Sequence, residues 1–390
     1  MPFITFPYLV RVLGIEKFGL LSFSMATVMY FSIIIDYGFN LTASRDISIY
    51  KDNHDKIQEI FSNVMCTKFI LILISLIILT IIIFSINKIS NYWYIFYLSF
   101  GVVMGQHLLP LWFFQGIEEM KYITIFNLIA KIFFTLMLFL LIKSKNDFYL
   151  VPVLNAVGYI IVGLYSLIYI IKKFSMKINC IGLNAIKNNL FKNFSVFISN
   201  VGITFYSIST TFLLGLFTNN IIVGYFSMVE KLILAIRQLY APFTQTIYPY
   251  FMKKFYENRK KTFYILNIFA VIGSLIMLII SFFIFLWGKE ILIFIFGEDN
   301  FSITSLYFLK VLVFVPIFTF LGSLYLMNAM IALHLHSLRN KIIFLVGINY
   351  IIGMILILKT NYLLFPYLYL TAEFFIFILS FIYVYKFIKR

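Results

Sequence analysis

From Phe69 to Phe84 the chain carries no charged residue, and only Ser75 and Thr80 interrupt an otherwise apolar run. A helix that is apolar on every side needs an apolar environment on every side. A bilayer supplies one, and its hydrocarbon core takes about 20 residues of helix at about 1.5 Å of rise each. Apolar runs bounded by polar clusters recur near residues 18–37, 64–86, 92–114, 123–142, 148–171, 196–217, 221–249, 264–287, 305–333, 342–358 and 363–385. Composition agrees, with 62% hydrophobic and 12% charged residues and a mean hydropathy of +0.99, against roughly 25% charged residues in ordinary soluble domains. A soluble fold is excluded. So is a transmembrane barrel, which would show segments of about ten residues alternating apolar and polar. The expected fold is an all-α polytopic membrane protein.

Met1 to Leu13 is apolar but about half a bilayer thick, and it starts on Met-Pro without the basic leader of a signal peptide. It reads as the second half of a first helix truncated in this chain, which brings the layout to about twelve spans. A net charge of +16 would point to nucleic acid in a soluble protein, but in a membrane protein the distribution over loops carries the meaning. Loops on one side of the alternation hold nineteen of the 31 lysines and arginines, among them Lys51, Lys172, Lys253 and Arg339, and loops on the other side hold seven. The positive-inside rule makes the first side cytoplasmic, the C-terminal Lys386, Lys389 and Arg390 included. No nucleic-acid partner is expected. The longest cytoplasmic loop, Lys172 to Ser195, has five lysines and no carboxylate and divides the chain into two six-helix lobes, 1–179 and 180–390. A short internal echo supports a repeat: Gly19-Leu20-Leu21-Ser22 opens one span and Gly224-Tyr225-Phe226-Ser227 opens its counterpart.

Catalytic templates are missing: there is no Walker A run, no H-E-x-x-H and no G-x-S-x-G. An enzyme is not expected, nor is a cofactor. His334-Leu335-His336 lacks a nearby cysteine or carboxylate and is not read as a metal site. Cys66, in an apolar run, and Cys180, in the lysine-rich loop, form neither a disulfide framework nor a zinc knuckle. Pro110 and Pro316 fall inside spans and are expected to break or kink them.

Charges inside the spans are the informative residues, because an ionisable group at the bilayer centre costs about 2.5–3.5 kcal/mol on insertion scales. Glu230 and Arg237 lie two helical turns apart on one face, with Lys231 about a quarter-turn away. Lys131, Lys310, Asp36, Lys68 and Glu373 complete the set. Two uses compete for them. One is structural: interhelical pairs, such as Asp36 with Lys68, or lysines that snorkel to the interface. The other is a cationic path for an anionic substrate, with Arg11, Lys131, Lys231, Arg237 and Lys310 as candidates. Asp36, Glu230 and Glu373 would then be candidates for a coupling ion, H+ or Na+.

The stretch Pro7-Tyr8-Leu9-Val10-Arg11-Val12-Leu13-Gly14 followed by Glu16-Lys17-Phe18-Gly19 resembles the opening of the Wzx-type polysaccharide flippases of the MOP exporter superfamily. Asp36-Tyr37-Gly38-Phe39-Asn40 with Ala43-Ser44-Arg45-Asp46-Ile47, and Trp112-Phe113-Phe114-Gln115-Gly116 with Met120-Lys121-Tyr122, resemble that family's second span and fourth-span exit. Gly224 through Glu230-Lys231 to Tyr248-Pro249, and Phe296-Gly297-Glu298, are similar to its eighth span and a later external loop. The resemblance covers nearly the whole chain; the family's short basic tail and complete first helix are the parts this sequence lacks. It implies two lobes around a cationic cavity and alternating, ion-coupled access. The implied cargo is an undecaprenyl-pyrophosphate-linked oligosaccharide, carried from the cytoplasmic to the periplasmic leaflet of a bacterial inner membrane for O-antigen or other surface polysaccharide. It further implies a polysaccharide polymerase and a chain-length regulator as partners. The alternatives are a MATE-type exporter or peptidoglycan lipid flippase of the same superfamily, and a membrane O-antigen polymerase. Against the MATE-type exporter stands the positive excess in the spans, since cationic drugs would want carboxylates. A polymerase would be expected to carry a large external loop with its reacting groups, and the longest external stretch here, Gly288 to Thr304, is short.

Overall fold

The computed structural model describes residues 2–179 and 182–389, so Met1, Cys180 and Arg390 lie outside it. Among the described residues every apolar run named above is mostly helical and no β-strand occurs. In lipid a backbone must satisfy its own polar groups, and among open structures only a helix does so within one segment.

The first helix, α1 (Pro2–Asp36), is broken at Gly14, whose φ of 76° and ψ of 165° suit glycine alone. A Tyr37-Gly38 turn with positive φ at both residues leads into α2 (Phe39–Ile49). Then come α3 (His54–Ser85), α4 (Asn87–Ser90), α5 (Trp93–Leu108), α6 (Leu111–Gly116), α7 (Met120–Leu141) and α8 (Leu150–Lys173). The break between α5 and α6 falls at Leu109-Pro110, where proline cannot continue the hydrogen-bond ladder. At the exposed turn before α7, Lys51 donates to Glu118 at 2.7 Å, which holds that carboxyl below its ordinary range.

The chain continues through α9 (Leu183–Phe217), α10 (Asn220–Glu257), α11 (Arg259–Leu286) and α12 (Gly288–Phe296). The run at 305–333 is not one helix. It comprises α13 (Ile303–Leu312), α14 (Val315–Gly322) with Pro316 in its first turn, a π-helical segment Ser323–Ala329, and α15 (Met330–Ala332). The last helices are α16 (His336–Thr360) and α17 (Phe365–Lys389). Asn53, Asn219 and Asn258 cap α3, α10 and α11 by accepting from a backbone N–H of the first turn, a contact typically worth about 1 kcal/mol.

Nine helices among the described residues are long and apolar enough to cross a bilayer. Helix α10 falls outside that set, and α9 contributes a shorter apolar helix, Ile208–Phe217.

The chain forms two compact units, one of residues 20–208 and the other of residues 2–19 with 209–390. Sequence alone suggested a divide at 179/180. In the structure α9 begins with the first unit, where Lys192 pairs with Asp46 at 2.8 Å and Phe197 stacks on Tyr37 at 4.4 Å. Residues 2–19 join the second unit.

Within the first unit the most extensive helix packing among the described residues is α5 on α8. Gly101 and Gly105 form a G-x-x-x-G step facing Ala156, Tyr159 and Gly163, and a Cβ on Gly105 would stand 2.8 Å from the Ile160 nitrogen. Small residues of this kind let helix backbones approach where lipid removes the hydrophobic drive to associate. Gly116 does the same for α6 on α2, with Ile47 and the Ser44 carbonyl against it, so the Trp112-Phe113-Phe114 side chains are wholly buried. The second unit has its own glycine crossing. Gly19 lies on Asn220 and Gly224, and Gly224 lies on Ile15, which makes the two echoed sequence positions into one contact between α1 and α10.

Candidate functional site

Two polar clusters sit among apolar helices, one in each unit. In the first unit Lys68 of α3, only 3% exposed, faces Asp36 at the end of α1 with Nζ 3.6 Å from Oδ1. His107 of α5 is buried within electrostatic reach of Lys68, and its Nε2 lies 2.8 Å from the Ser32 hydroxyl. A bond between Ser24 and Ser99 at 2.9 Å lies on the same two helices, α1 and α5. Such interhelical bonds contribute about 0.6–2 kcal/mol each in membranes. The Asp36–Lys68 pairing was legible from sequence. His107 was passed over, and its signal is a lone histidine in the apolar run 92–114.

In the second unit, α10 places Glu230, Arg237 and Tyr240 along one side of a continuous helix. Arg237 sits against the hydroxyls of Tyr240 and Tyr369 and within electrostatic reach of Glu373. Tyr369 and Glu373 are one helical turn apart on α17, and Glu373 is 6% exposed. Tyr240 shares a hydrogen bond with Thr319 of α14 at 2.7 Å, and Tyr350 of α16 shares one with Thr210 of α9 at 2.6 Å. Glu230 lies within electrostatic reach of Tyr350 and Tyr369. The cluster therefore joins two carboxylates, one guanidinium and a set of phenols from three helices, with threonine hydroxyls from two more. The tyrosines were hidden in sequence by the chain's 27 copies of that residue.

The π-helical segment lies beside this region. Its Tyr325 donates to Asn267 of α11 at 2.6 Å, and its Asn328 donates to the Thr244 carbonyl of α10 at 3.3 Å. Wide turns of this type shift side-chain register within a helix and concentrate at functional positions. What the cluster offers chemically is a fixed positive group able to hold an anion and carboxylates able to exchange a proton, in a water-poor setting where each interaction is strengthened.

The remaining sequence candidates stand apart. Lys131 is exposed on α7, and Lys310 is exposed on α13 with its ammonium 5.2 Å above the Phe285 ring. Lys231 is half-buried, with Nζ 4.8 Å above the Phe6 ring. Arg11 donates from Nε to the Ile295 carbonyl at 3.0 Å and from Nη2 to the Phe294 carbonyl, at the C-terminal end of α12. Cations there satisfy orphan carbonyls and complement the helix dipole, worth about 0.3–1 kcal/mol. Arg11→Ala is accordingly expected to lower the thermal midpoint of the purified protein by about 1–3 °C; an unchanged midpoint would remove this capping role. No group of three or more metal-ligating side chains occurs among the described residues.

Comparison with known proteins bears on this geometry. A protein of Escherichia coli (strain K12) named "Putative O-antigen transporter" is 31% identical over 261 residues, 67% of this chain and 63% of that protein. A protein of the same name from Shigella dysenteriae is 30% identical over 271 residues, 69% of this chain and 67% of its own length. The match thus spans somewhat under two thirds of the Escherichia coli protein. No solved structure matches. Residues 1–255, which take in the first polar cluster and the Glu230–Arg237 face of α10, match the family model described as polysaccharide biosynthesis protein, and the chain belongs to that family.

Proposed function

We propose that this protein is a flippase that carries a lipid-linked oligosaccharide repeat unit, on undecaprenyl pyrophosphate, across the bacterial inner membrane by alternating access, for O-antigen or another surface polysaccharide. One observation carries the reading: a chain of membrane-spanning helices belongs to a polysaccharide biosynthesis family, and two relatives are named as O-antigen transporters. Chemistry on the page supports it. A pyrophosphate needs a cation held in a water-poor place, and Arg237 is such a group, with Lys231 on the adjoining face of α10. Glu230, Glu373 and Asp36 are the places for a coupling H+ or Na+. The positive-inside distribution supports a cytoplasmic C-terminus.

The test is deletion of the gene in the organism that carries it, with surface glycan and lipid-linked intermediate measured before and after this chain is restored. A flippase deletion removes surface repeat units while the lipid-linked unit accumulates inside, and restoration reverses both. Single repeat units that still reach the surface without long chains would mean that export survives and that the protein is a polymerase.

A further inference from the structure

We infer that the cleft between α2, α3 and the first turns of α9 is a binding site for a single uncharged sugar ring. The cleft has a volume of about 250 Å³ and lies wholly within the first unit. Its wall includes Thr42, Tyr50, Asn63, Asn189 and Asn193.

Its charges cancel internally. Asp46 is held by Arg45 at 2.9 Å and by Lys192 at 2.8 Å, and Lys56 is held by Glu59 at 2.8 Å. An anion entering here would have to compete with bonds already made. The amides, by contrast, are unfinished. Asn193 is 5% exposed; its Nδ2 donates to the Asn189 carbonyl at 2.7 Å, and its Oδ1 is a buried acceptor with no partner. Asn189 in turn has a buried Nδ2 with no partner. A lone acceptor and a lone donor thus sit four residues apart on one helix face, on two residues that line the same cleft.

That pairing selects the ligand. A phosphodiester or an ionised carboxylate offers only acceptors and leaves the Asn193 oxygen unmatched, and any anion must also displace the paired charges, whereas a sugar hydroxyl donates and accepts at once and an acetamido group carries one of each. Both orphan atoms are closed off from bulk water, and the terminal amide torsion is soft, so each can turn toward a hydroxyl that enters the cleft. The Tyr50 ring, 46% exposed at the rim, supplies an apolar face for the sugar's C–H side. That the ring belongs to the transported glycolipid rests on the function proposed above; the cleft's preference for a neutral sugar does not.

The experiment uses the full chain purified in a detergent without a sugar headgroup. Glucose and N-acetylglucosamine are the probes, read by saturation-transfer NMR, with inorganic phosphate as competitor. Transfer to the sugar protons is expected in the wild type, with affinity weakened about five-fold in Asn193→Leu and in Asn189→Ala, as loss of one neutral hydrogen bond implies. Phosphate at equal concentration should leave the signal unchanged. Equal transfer in wild type and variants, or displacement by phosphate, would overturn the assignment. Should Asn193→Leu fail to elute as a single species, the half-buried Asn189→Ala carries the test alone. Surface polysaccharide is scored for the wild type in parallel. If wild type restores polymer but shows no Asn-dependent sugar signal, the cleft assignment fails alone. If the signal depends on the asparagines but polymer is not restored, the transport reading fails and the cleft stands.

Discussion

Leucine in place of Gly224 is expected to remove the folded protein almost entirely. A Cβ at this position would collide with the Ile15 carbonyl and stand 2.9 Å from the Ile15 side chain, and one at Gly19 would collide with the Asn220 carbonyl and stand 2.7 Å from the Gly224 nitrogen. Backbone is what lies in the way, so no rotamer change relieves the overlap. The helices α1 and α10 must separate, and the contacts that hold residues 2–19 to the second unit are lost with them. Overpacking in a well-packed core commonly costs about 1–3 kcal/mol, and a clash against backbone lies at or beyond the top of that range. Gly19→Leu should behave alike. Gly182→Ala is the control, because nothing stands within 4 Å of a Cβ there. The readout is the fraction eluting as a single species in detergent. Wild-type recovery of Gly224→Leu would refute the crossing.

Arg237→Gln is expected to lower surface polysaccharide at least ten-fold. Glutamine keeps a hydrogen-bond donor for Tyr240 and Tyr369 but removes the charge. The difficulty is that Glu373 is buried within electrostatic reach of Arg237, and a buried charge that loses its counter-charge destabilises the fold, so lost polymer alone would not separate transport from folding. The double variant Arg237→Gln with Glu373→Gln does separate them. It removes the charge that Glu373 would otherwise leave unbalanced, keeps Glu230 beside Lys231, and should recover most of the wild-type thermal stability, while on the proposed role of Arg237 as the substrate's cation, polymer stays low. Arg237→Lys should retain part of the activity. Normal polymer in Arg237→Gln would remove the arginine from the substrate path.

The helices were legible because a bilayer imposes one rule on every span, and runs such as Phe69–Phe84 state it openly. The asparagines at 53, 219 and 258 that cap helix starts were not read from the sequence, although that residue type is a cap signal. What depends on the approach of distant segments was not. Arg11 looks in sequence like a candidate substrate cation; its carbonyl partners at Phe294 and Ile295 lie 283 and 284 residues away. Lys131 and Lys310 sit in apolar runs, yet a long aliphatic stem lets either ammonium reach an exposed face. The break of the 305–333 run into α13, α14 and a π-helical segment has one visible cause, Pro316, and the wider turn that follows has none in the sequence. The Gly19–Gly224 echo was read as a trace of a repeat, and the contact between its two members appears only once residues 2–19 are seen to pack on α10.

Flipping itself is the most direct test. The full chain is reconstituted into vesicles that carry an undecaprenyl-pyrophosphate sugar labelled on its sugar, and a membrane-impermeant reagent that destroys the label is added outside. Vesicles without protein protect the inner leaflet, so about half the label survives. Vesicles with the wild-type chain are predicted to lose nearly all of it, and those with Arg237→Gln to behave like empty vesicles. Survival of half the label with the wild-type chain, under either an inward or an outward proton or sodium gradient, would contradict the assignment of this protein as a flippase.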